Sequence, residues 1–374
     1  MRFLPFVSWS FGFLVPLFVS GLDFPSLLNE RYAPYANWSQ VELDSAILES
    51  GAGGGWWRDP DEIRAGRSGE APPLSGLHLA LDPGHIGGEW AEIEGRNFQI
   101  EADDFPVREG ELVLEVARLV RAELEKLGAE VSLLREGPDP LNPKPPEAYF
   151  SAAAARIEPP AEISLAALVD YGLELRRLMR RMHAVTGELV ARARLVNEQI
   201  RPDALLSLHI NAAPWPADGE GRESYELVDS NHTHVLIFGC LSDAELSVPL
   251  QRRQMLTKMT NGSAEIERRL GEALAVSLGE ATSLPPSKYG GRNAIRLDGG
   301  TPYLWARNLM LLRYVQCPVV LLEPHIANSK GTYPRIQQAL RNRHEGKPPG
   351  EDDILVEYAR AVVRGVIRVY GPGA

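Results

Sequence analysis

Short apolar runs alternate with amphipathic segments along most of this chain of 374 residues. The run GLHLALD (76–82) ends in turn residues, which is typical of a buried strand. From Glu111, apolar residues recur at three- and four-residue spacing until Gly128, so the pattern predicts a helix of about five turns. AEVSLLRE (129–136) predicts the next strand. This strand, helix, strand order is typical of a parallel pair with a right-handed crossover.

The alternation continues to the C-terminus. A long helical pattern covers 163–200, with breaks expected near Gly172 or Gly187. Strands alternating with helices in one domain predict a three-layer α/β fold with a mostly parallel or mixed central sheet. The remaining strand candidates are DALLSLHINAA, SYELVD, HVLIFGC and CPVVLLEPH, and the remaining helices are EIERRLGEALAVSLGE and DDILVEYARAVVRGVIRVY.

The first 75 residues divide into two stretches that precede this domain. Residues 1–21 carry one basic residue, Arg2, and then an uncharged apolar segment, which is typical of an export signal or of an uncleaved membrane anchor. Residues 22–75 are rich in Gly, Pro and charge, and predict a linker with one short helix. We therefore expect the domain, 76–374, to function outside the cytoplasm.

Composition and charge narrow the classes of partner. The hydrophobic fraction of 44% and the charged fraction of 24% are those of an ordinary globular protein. A net charge of −11, without a dense basic stripe, makes nucleic acid an unexpected partner. Two cysteines, Cys240 and Cys317, lie in apolar runs and are expected to be buried small side chains rather than a disulfide framework.

Titratable side chains follow three of the apolar runs. One run stops just before His85, another ends at His209, and a third ends at Glu323. Glu109, directly before the first long helix, is expected on the same edge of the sheet. Ligands bind outside the carboxyl ends of strands in open α/β sheets. Two histidines and a carboxylate, with a second carboxylate nearby, have the composition of a catalytic zinc site.

Each of these four residues also has a structural interpretation. The two histidines could be turn residues bonded to the backbone. Glu109 could simply favour the N-terminus of a helix, and Glu323 could pair with an arginine. The residues by themselves leave both interpretations open.

Four blocks of sequence decide between them by resemblance. ALDPGHIGG, VREGELVLEVARLV, LLSLHINAA and CPVVLLEPHIANS resemble, in order and in local pattern, the zinc-dependent N-acetylmuramoyl-L-alanine amidases of the amidase-3 type. The resemblance implies Zn²⁺ ligands at His85, Glu109 and His209 and a catalytic carboxylate at Glu323. It further implies an extracytoplasmic, bacterial enzyme that cuts peptidoglycan between N-acetylmuramic acid and L-alanine.

The chain departs from this family pattern in two places. After GHIGG the loop is unusual, so Glu89, Glu92 or Asp104 could reach the metal instead of Glu109. The stretch of about 137–185 is longer than the family core requires and predicts an inserted helical segment, either a solvated spacer or a lid whose RRLMRR run meets anionic polymer or a partner.

Several questions stay open at this point. His232 and His234 lie on one face of a strand and could border the site, although a structural role is the simpler interpretation. The altered loop is compatible with a different amide bond, and an inactive wall-binding protein of the same fold is the other alternative. A protein activator, if one exists, has no sequence signature.

Overall fold

The structure is a computed structural model, and it describes residues 23–38, 55–216 and 225–373. The predicted signal or anchor at 1–21 lies outside these ranges. Within them, no helix combines the length and the apolar character needed to cross a membrane.

A seven-stranded mixed sheet occupies the centre of the domain, in the order β4-β1-β5-β9-β6-β8-β7. The four strands β4, β1, β5 and β9 are parallel; β6 is antiparallel to β9 and parallel to β8, and β7 is antiparallel to β8. A separate pair, β2 and β3, forms a small antiparallel ribbon. The strands are β1 His78–Pro83, β2 Asn97–Phe98, β3 Val107–Arg108, β4 Glu130–Leu133, β5 Ala204–Leu208, β6 His234–Phe238, β7 Ile295–Arg296, β8 Leu304–Arg307 and β9 Val319–Glu323.

Helices cover both faces of this sheet, which confirms the predicted three-layer α/β fold. Side chains alternate between the faces along each strand. Leu79 and Leu81 of β1 therefore pack into one apolar cluster, while Ala80 packs into the other. The helices are α1 Phe24–Leu27, α2 Pro60–Ala65, α3 Trp90–Glu94, α4 Glu109–Lys126, α5 Phe150–Ala154, α6 Leu165–Met182, α7 Glu188–Arg194, α8 Asp243–Leu246, α9 Pro249–Thr260, α10 Ser263–Thr282, α11 Met310–Tyr314, α12 Tyr333–His344 and α13 Ile354–Tyr370, with a 3₁₀ turn at Pro146–Tyr149.

The long helical pattern at 163–200 is one nearly continuous rod with two wider turns. Helix α6 passes through Gly172 without interruption, and π turns occupy His183–Gly187 and Leu195–Ile200. Only the break predicted near Gly187 therefore has a counterpart. Together with α5, helix α6 lies within the stretch of about 137–185 that was predicted as an inserted segment and is called the insertion below, and the two helices share a small apolar cluster of their own.

Two sequence predictions differ from the structure. The described part of SYELVD is not a strand. The backbone of Val228 instead bonds with the loop after β9: its N–H donates to the carbonyl of Asn328, and its carbonyl accepts from the N–H of Lys330. The predicted linker, 22–75, is in part packed structure, because Tyr32 and Ile63 are buried against the domain. Their burial shows that apolar residues spaced too widely to form a recognisable pattern still contribute to the core.

Candidate metal centre

Strand order explains why distant residues meet at one edge. Strands β1, β5 and β9 are neighbours and parallel, so their carboxyl ends lie side by side. His85 follows β1, His209 follows β5 and Glu323 ends β9. Glu109 reaches the same edge because α4 begins there.

His85 lies in a tight turn whose backbone carbonyls accept hydrogen bonds from two arginines. Its φ of 54° is left-handed, which is uncommon for a residue with a side chain. The guanidinium of Arg192 donates to the carbonyl of His85 at 2.6 Å, and Arg135 donates to the carbonyl of Gly84 at 3.2 Å. These bonds hold the turn in the conformation that directs the imidazole to the edge.

Gly84 provides the space that the second imidazole occupies. A Cβ at this position would lie 2.3 Å from Cε1 of His209, far inside contact distance. The glycine is therefore required for close packing of the turn against the ring of His209, which explains why Asp-Pro-Gly precedes the first histidine.

His85, Glu109 and His209 form a compact set of candidate ligands. Their ligand atoms all lie within 4.8 Å of one another. His85 Nε2 is 3.5 Å from Glu109 Oε2, and His209 Nδ1 is 3.0 Å from Glu109 Oε1. The imidazole rings are perpendicular, with centroids 4.9 Å apart. Two imidazoles and a carboxylate are a donor set that zinc accepts at about 2.0–2.2 Å per ligand, so the residues fit such an ion.

Charge interactions within this set oppose the effect of burial. Burial raises the pKa of the Glu109 carboxyl, but the nearby charge of His85 and the bond from His209 bring the pKa below its usual value. Burial lowers the pKa of His209, but the bond to Glu109 and the nearby carboxylate charges more than offset burial, so the pKa is above its usual value. The set is therefore electrostatically suited to a bound cation, which would take the place of the protons.

Glu94 is a functional candidate that the sequence analysis missed. It lies at the end of α3, and its Oε1 is 3.3 Å from His85 Nδ1 while its Oε2 accepts from the N–H of Ile86 at 2.7 Å. A carboxylate behind a ligating imidazole fixes the orientation and tautomer of the ring. Its only sequence signal is its position nine residues after His85, which is informative only once α3 is known.

The alternative ligands proposed from the sequence lie elsewhere. Glu89 pairs with Arg180 at 3.2 Å, and Asp104 accepts from the hydroxyl of Tyr333 at 2.6 Å. Glu92 lines a neighbouring cleft. None of them belongs to the ligand cluster of the described residues.

Buried ionic contacts support the site from beneath. Arg192, which is 1% exposed, donates to Asp82 at 2.7 Å and to Glu188 at 2.8 Å, and Ser207 donates to Asp82 at 2.7 Å. Asn197, five residues further along the same helical rod, instead bonds with the backbone of Tyr314 and of Gln316. Arg192 thus supports the ligand turn, whereas Asn197 supports a loop.

Glu323 lies beside the ligands but outside their cluster. The N–H of His209 donates to the carbonyl of Leu322 at 2.9 Å, which places Glu323 next to His209 across the strands. On the other side, His234 of β6 is paired in register with Glu323, and its Nε2 forms a salt-bridge contact with the carboxylate. Burial raises the pKa of Glu323, but the charge of His234, its bond to the carboxylate and the nearby charges of His209 and Arg96 together outweigh burial and lower the pKa to about 2.

His234 therefore has a place in the site, although the simpler interpretation of the sequence was structural. It is 1% exposed, and its ring lies 5.5 Å from that of His232 and 5.8 Å from that of Tyr289. His232 has no such contact with Glu323 among the interactions of the described residues, and burial lowers its pKa. The two histidines that the sequence could not separate thus have different surroundings.

The fold and this edge together are those of an α/β enzyme with a candidate metal site at the carboxyl ends of its strands. A family model described as N-acetylmuramoyl-L-alanine amidase, of the amidase-3 type, matches residues 79–338, well over half of the chain. The chain belongs to this family. It is an N-acetylmuramoyl-L-alanine amidase that acts on peptidoglycan. Because peptidoglycan is the polymer of the cell wall, the protein acts outside the cytoplasm.

Solved structures give a more distant likeness. The N-acetylmuramyl-L-alanine amidase Ami1 from Mycobacterium smegmatis is 19% identical, with 79% of this chain and 96% of that chain covered and a TM-score of 0.40. Cwp6 from Clostridium difficile is 13% identical, with 79% of this chain and 29% of that chain covered and a TM-score of 0.41. No curated protein sequence matches the chain.

Proposed function

We propose that this amidase is a zinc enzyme in which His85, Glu109 and His209 hold the ion and Glu323 moves the proton. The donor set supports zinc, because two imidazoles and one carboxylate leave one of four tetrahedral positions free. When bound, the ion acts as a Lewis acid that polarises the amide carbonyl and acidifies water. The residues of the chain supply orientation and proton transfer.

Glu323 is suited to that transfer by its ionisation and its position. Its carboxylate is ionised at neutral pH, which is the form that accepts a proton from water. Its place next to His209 lets it pass that proton to the nitrogen of the leaving L-alanine. His234 stabilises the carboxylate in the charged state and limits its motion.

One observation carries the proposal: four functional groups reach one edge of the sheet from three strand ends and one helix start, three as a cluster and the fourth, Glu323, beside it. Such a division is what hydrolysis requires, since ligands must stay bound while the base changes protonation.

Two variants test the division. Glu323→Gln is expected to keep stoichiometric zinc while turnover falls by about 10²–10⁴-fold, the usual contribution of a general acid–base. His209→Ala is expected to lose both zinc and turnover. Metal analysis and mass spectrometry of a peptidoglycan digest measure the two properties, and Glu280→Gln, an exposed carboxylate on α10, is the control. Near-normal release of L-alanine-terminated peptides by Glu323→Gln contradicts the role of that residue.

We also propose that residues 1–21 direct export, as a cleaved signal or an anchor. Their apolar run after Arg2 supports it. Mass measurement of the mature protein distinguishes the two forms, and recovery of the full chain in the cytoplasm contradicts both.

A further inference from the structure

The insertion borders a basic cleft beside the metal centre. Helix α6 and the short helix α3 enclose a space of about 580 Å³. Its walls include four arginines, all from α6, and only one carboxylate, Glu92. The chain as a whole has a net charge of −11, so this concentration of positive charge is confined to one region of it. The four are Arg176, Arg177, Arg180 and Arg181.

Three of these arginines form no salt bridge with a carboxylate of the described residues. Arg180 pairs with Glu89 at 3.2 Å and lies over the ring of Trp90 at 5.3 Å. Arg176, Arg177 and Arg181 are exposed, and no salt bridge joins them to any carboxylate that the structure describes. Like charges at i,i+4 spacing, such as Arg177 and Arg181, repel each other on a helix, so an anion in the cleft would relieve that repulsion.

Helix stability alone does not account for this arrangement. Cations near a helix C-terminus interact favourably with the helix dipole, which explains basic residues in the last turn of α6. It does not explain why Arg176 and Arg177 lie a turn earlier and line the same cleft, with the apolar Leu173 and Ile93 beside them. The helical period places these residues on one face of α6, and the packing of α3 against that helix makes the face one wall of a cleft that an anion could occupy.

The cleft is close to the reacting bond because α3 borders both sites. Glu94 of α3 contacts His85, while Glu92 and Ile93 of the same helix line the cleft. Helix α3 has five residues, so it is about 7.5 Å long at 1.5 Å per residue. An extended peptide spans about 3.3–3.6 Å per residue, so a peptide of three or more residues is longer than the helix that borders both sites.

We propose that this cleft is a substrate subsite that binds carboxylates of the stem peptide whose L-alanine end lies at the metal centre. The inference rests on the proposed function. Peptides carry a terminal carboxylate unless they are cross-linked, and planar guanidinium groups bind carboxylates through paired hydrogen bonds. The insertion thereby extends recognition from the cleaved amide to the far part of the peptide.

The test replaces the three unpaired arginines by glutamine: Arg176→Gln, Arg177→Gln and Arg181→Gln in one protein. On peptidoglycan freed of phosphate polymers, we expect KM to rise about tenfold with kcat nearly unchanged, because exposed ion pairs contribute modestly and additively. The corresponding Arg→Lys protein is expected to recover only part of the loss, because lysine keeps the charge but lacks the planar pair of donors. A matched triple of exposed arginines elsewhere, Arg253→Gln, Arg341→Gln and Arg364→Gln, is the control.

Three further measurements make the outcome decisive. Peptidoglycan whose carboxyls have been amidated is expected to bind wild type and variant alike. An equal loss in the control triple, or a loss seen only on walls that still carry phosphate polymers, overturns the carboxylate subsite. Co-sedimentation with peptidoglycan in the Glu323→Gln background measures binding without turnover. A wild type that releases no stem peptides therefore contradicts the proposed function, whereas normal co-sedimentation of the triple contradicts the subsite.

Discussion

Charged side chains are held in opposite ways beneath the metal centre and on the insertion. Under the centre, Arg192 is 1% exposed and donates to two carboxylates and two backbone carbonyls. On α6, Arg176 and Arg177 face solvent without a salt bridge to any described carboxylate. The buried charge is committed to holding the turn of His85, while the exposed charges remain available to a ligand. Burial therefore separates charges that build the site from charges that can recognise substrate.

The largest difference between the regions is expected in stability. Arg192→Met leaves Asp82 and Glu188 buried without their partner, and we expect the free energy of unfolding to fall by about 3–5 kcal/mol. Arg194→Met removes an arginine two residues away whose side chain is 63% exposed, and it is expected to cost about 1 kcal/mol or less. Urea denaturation of both proteins measures the contrast, and equal losses would mean that burial does not set the difference.

The second largest effect is expected from acid, which should lower the free energy of unfolding by protonating Glu323. The pKa of Glu323 is lowered from 4.5 to about 2 on folding, so its ionised form stabilises the protein above pH 4.5. This contribution, roughly 3 kcal/mol, is lost as the pH falls from about 4.5 to about 2. We expect metal-free Glu323→Gln to lose correspondingly less stability across that window.

Denaturation of wild type and Glu323→Gln at several acidic pH values measures this difference. His234→Asn is expected to fall between them, because the loss of the imidazole raises the pKa of Glu323. Parallel pH curves for all three proteins would contradict the pairing of His234 with Glu323.

A smaller effect is expected from the residue behind the metal ligand. Glu94→Gln removes the charge that faces His85 Nδ1, and we expect zinc affinity or turnover to fall about 10–100-fold. Glu92→Gln changes a carboxylate on the same helix that lines the arginine cleft, and zinc affinity should be unchanged. Competition with a zinc chelator compares them, and equal affinities in all forms would remove Glu94 from the site.

The smallest effect is expected for stability of the insertion. The triple replacement of Arg176, Arg177 and Arg181 by glutamine should change the free energy of unfolding by no more than about 0.5 kcal/mol per residue, as is usual at exposed positions. Thermal and urea unfolding measure it. A large loss would show that these arginines, like Arg192, are needed to hold the folded structure together, and the contrast between the two regions would disappear.

Particular elements show why some predictions from sequence succeeded. The helix that Gly128 was predicted to end is Glu109–Lys126, because its apolar spacing and its terminator are both local. The strand end before His85 was equally clear. SYELVD failed because alternating apolar residues indicate a strand only where a neighbouring strand can pair with it.

The site was predictable to the extent that its residues end strands. Two strand ends, the start of α4 and the resemblance predicted His85, Glu109 and His209 as ligands; the structure brings the three side chains into one cluster, and their role as zinc ligands stays a prediction. Glu94 and His234 were not assigned, since their contacts depend on where α3 packs and on the register of β6 against β9. Neither feature leaves a periodic signal in the chain.

The sequence by itself determined the alternation of strands and helices, the acidic net charge and the order of the four family blocks, because each is a matter of local pattern or of count. Tertiary structure alone decided that His234 lies against Glu323, that Glu94 lies behind His85, and that the arginines of α6 share a cleft with α3. The physical reason is that strand order, register and helix packing bring together residues far apart in the chain, and a side chain's partners and burial then set its charge state and its role.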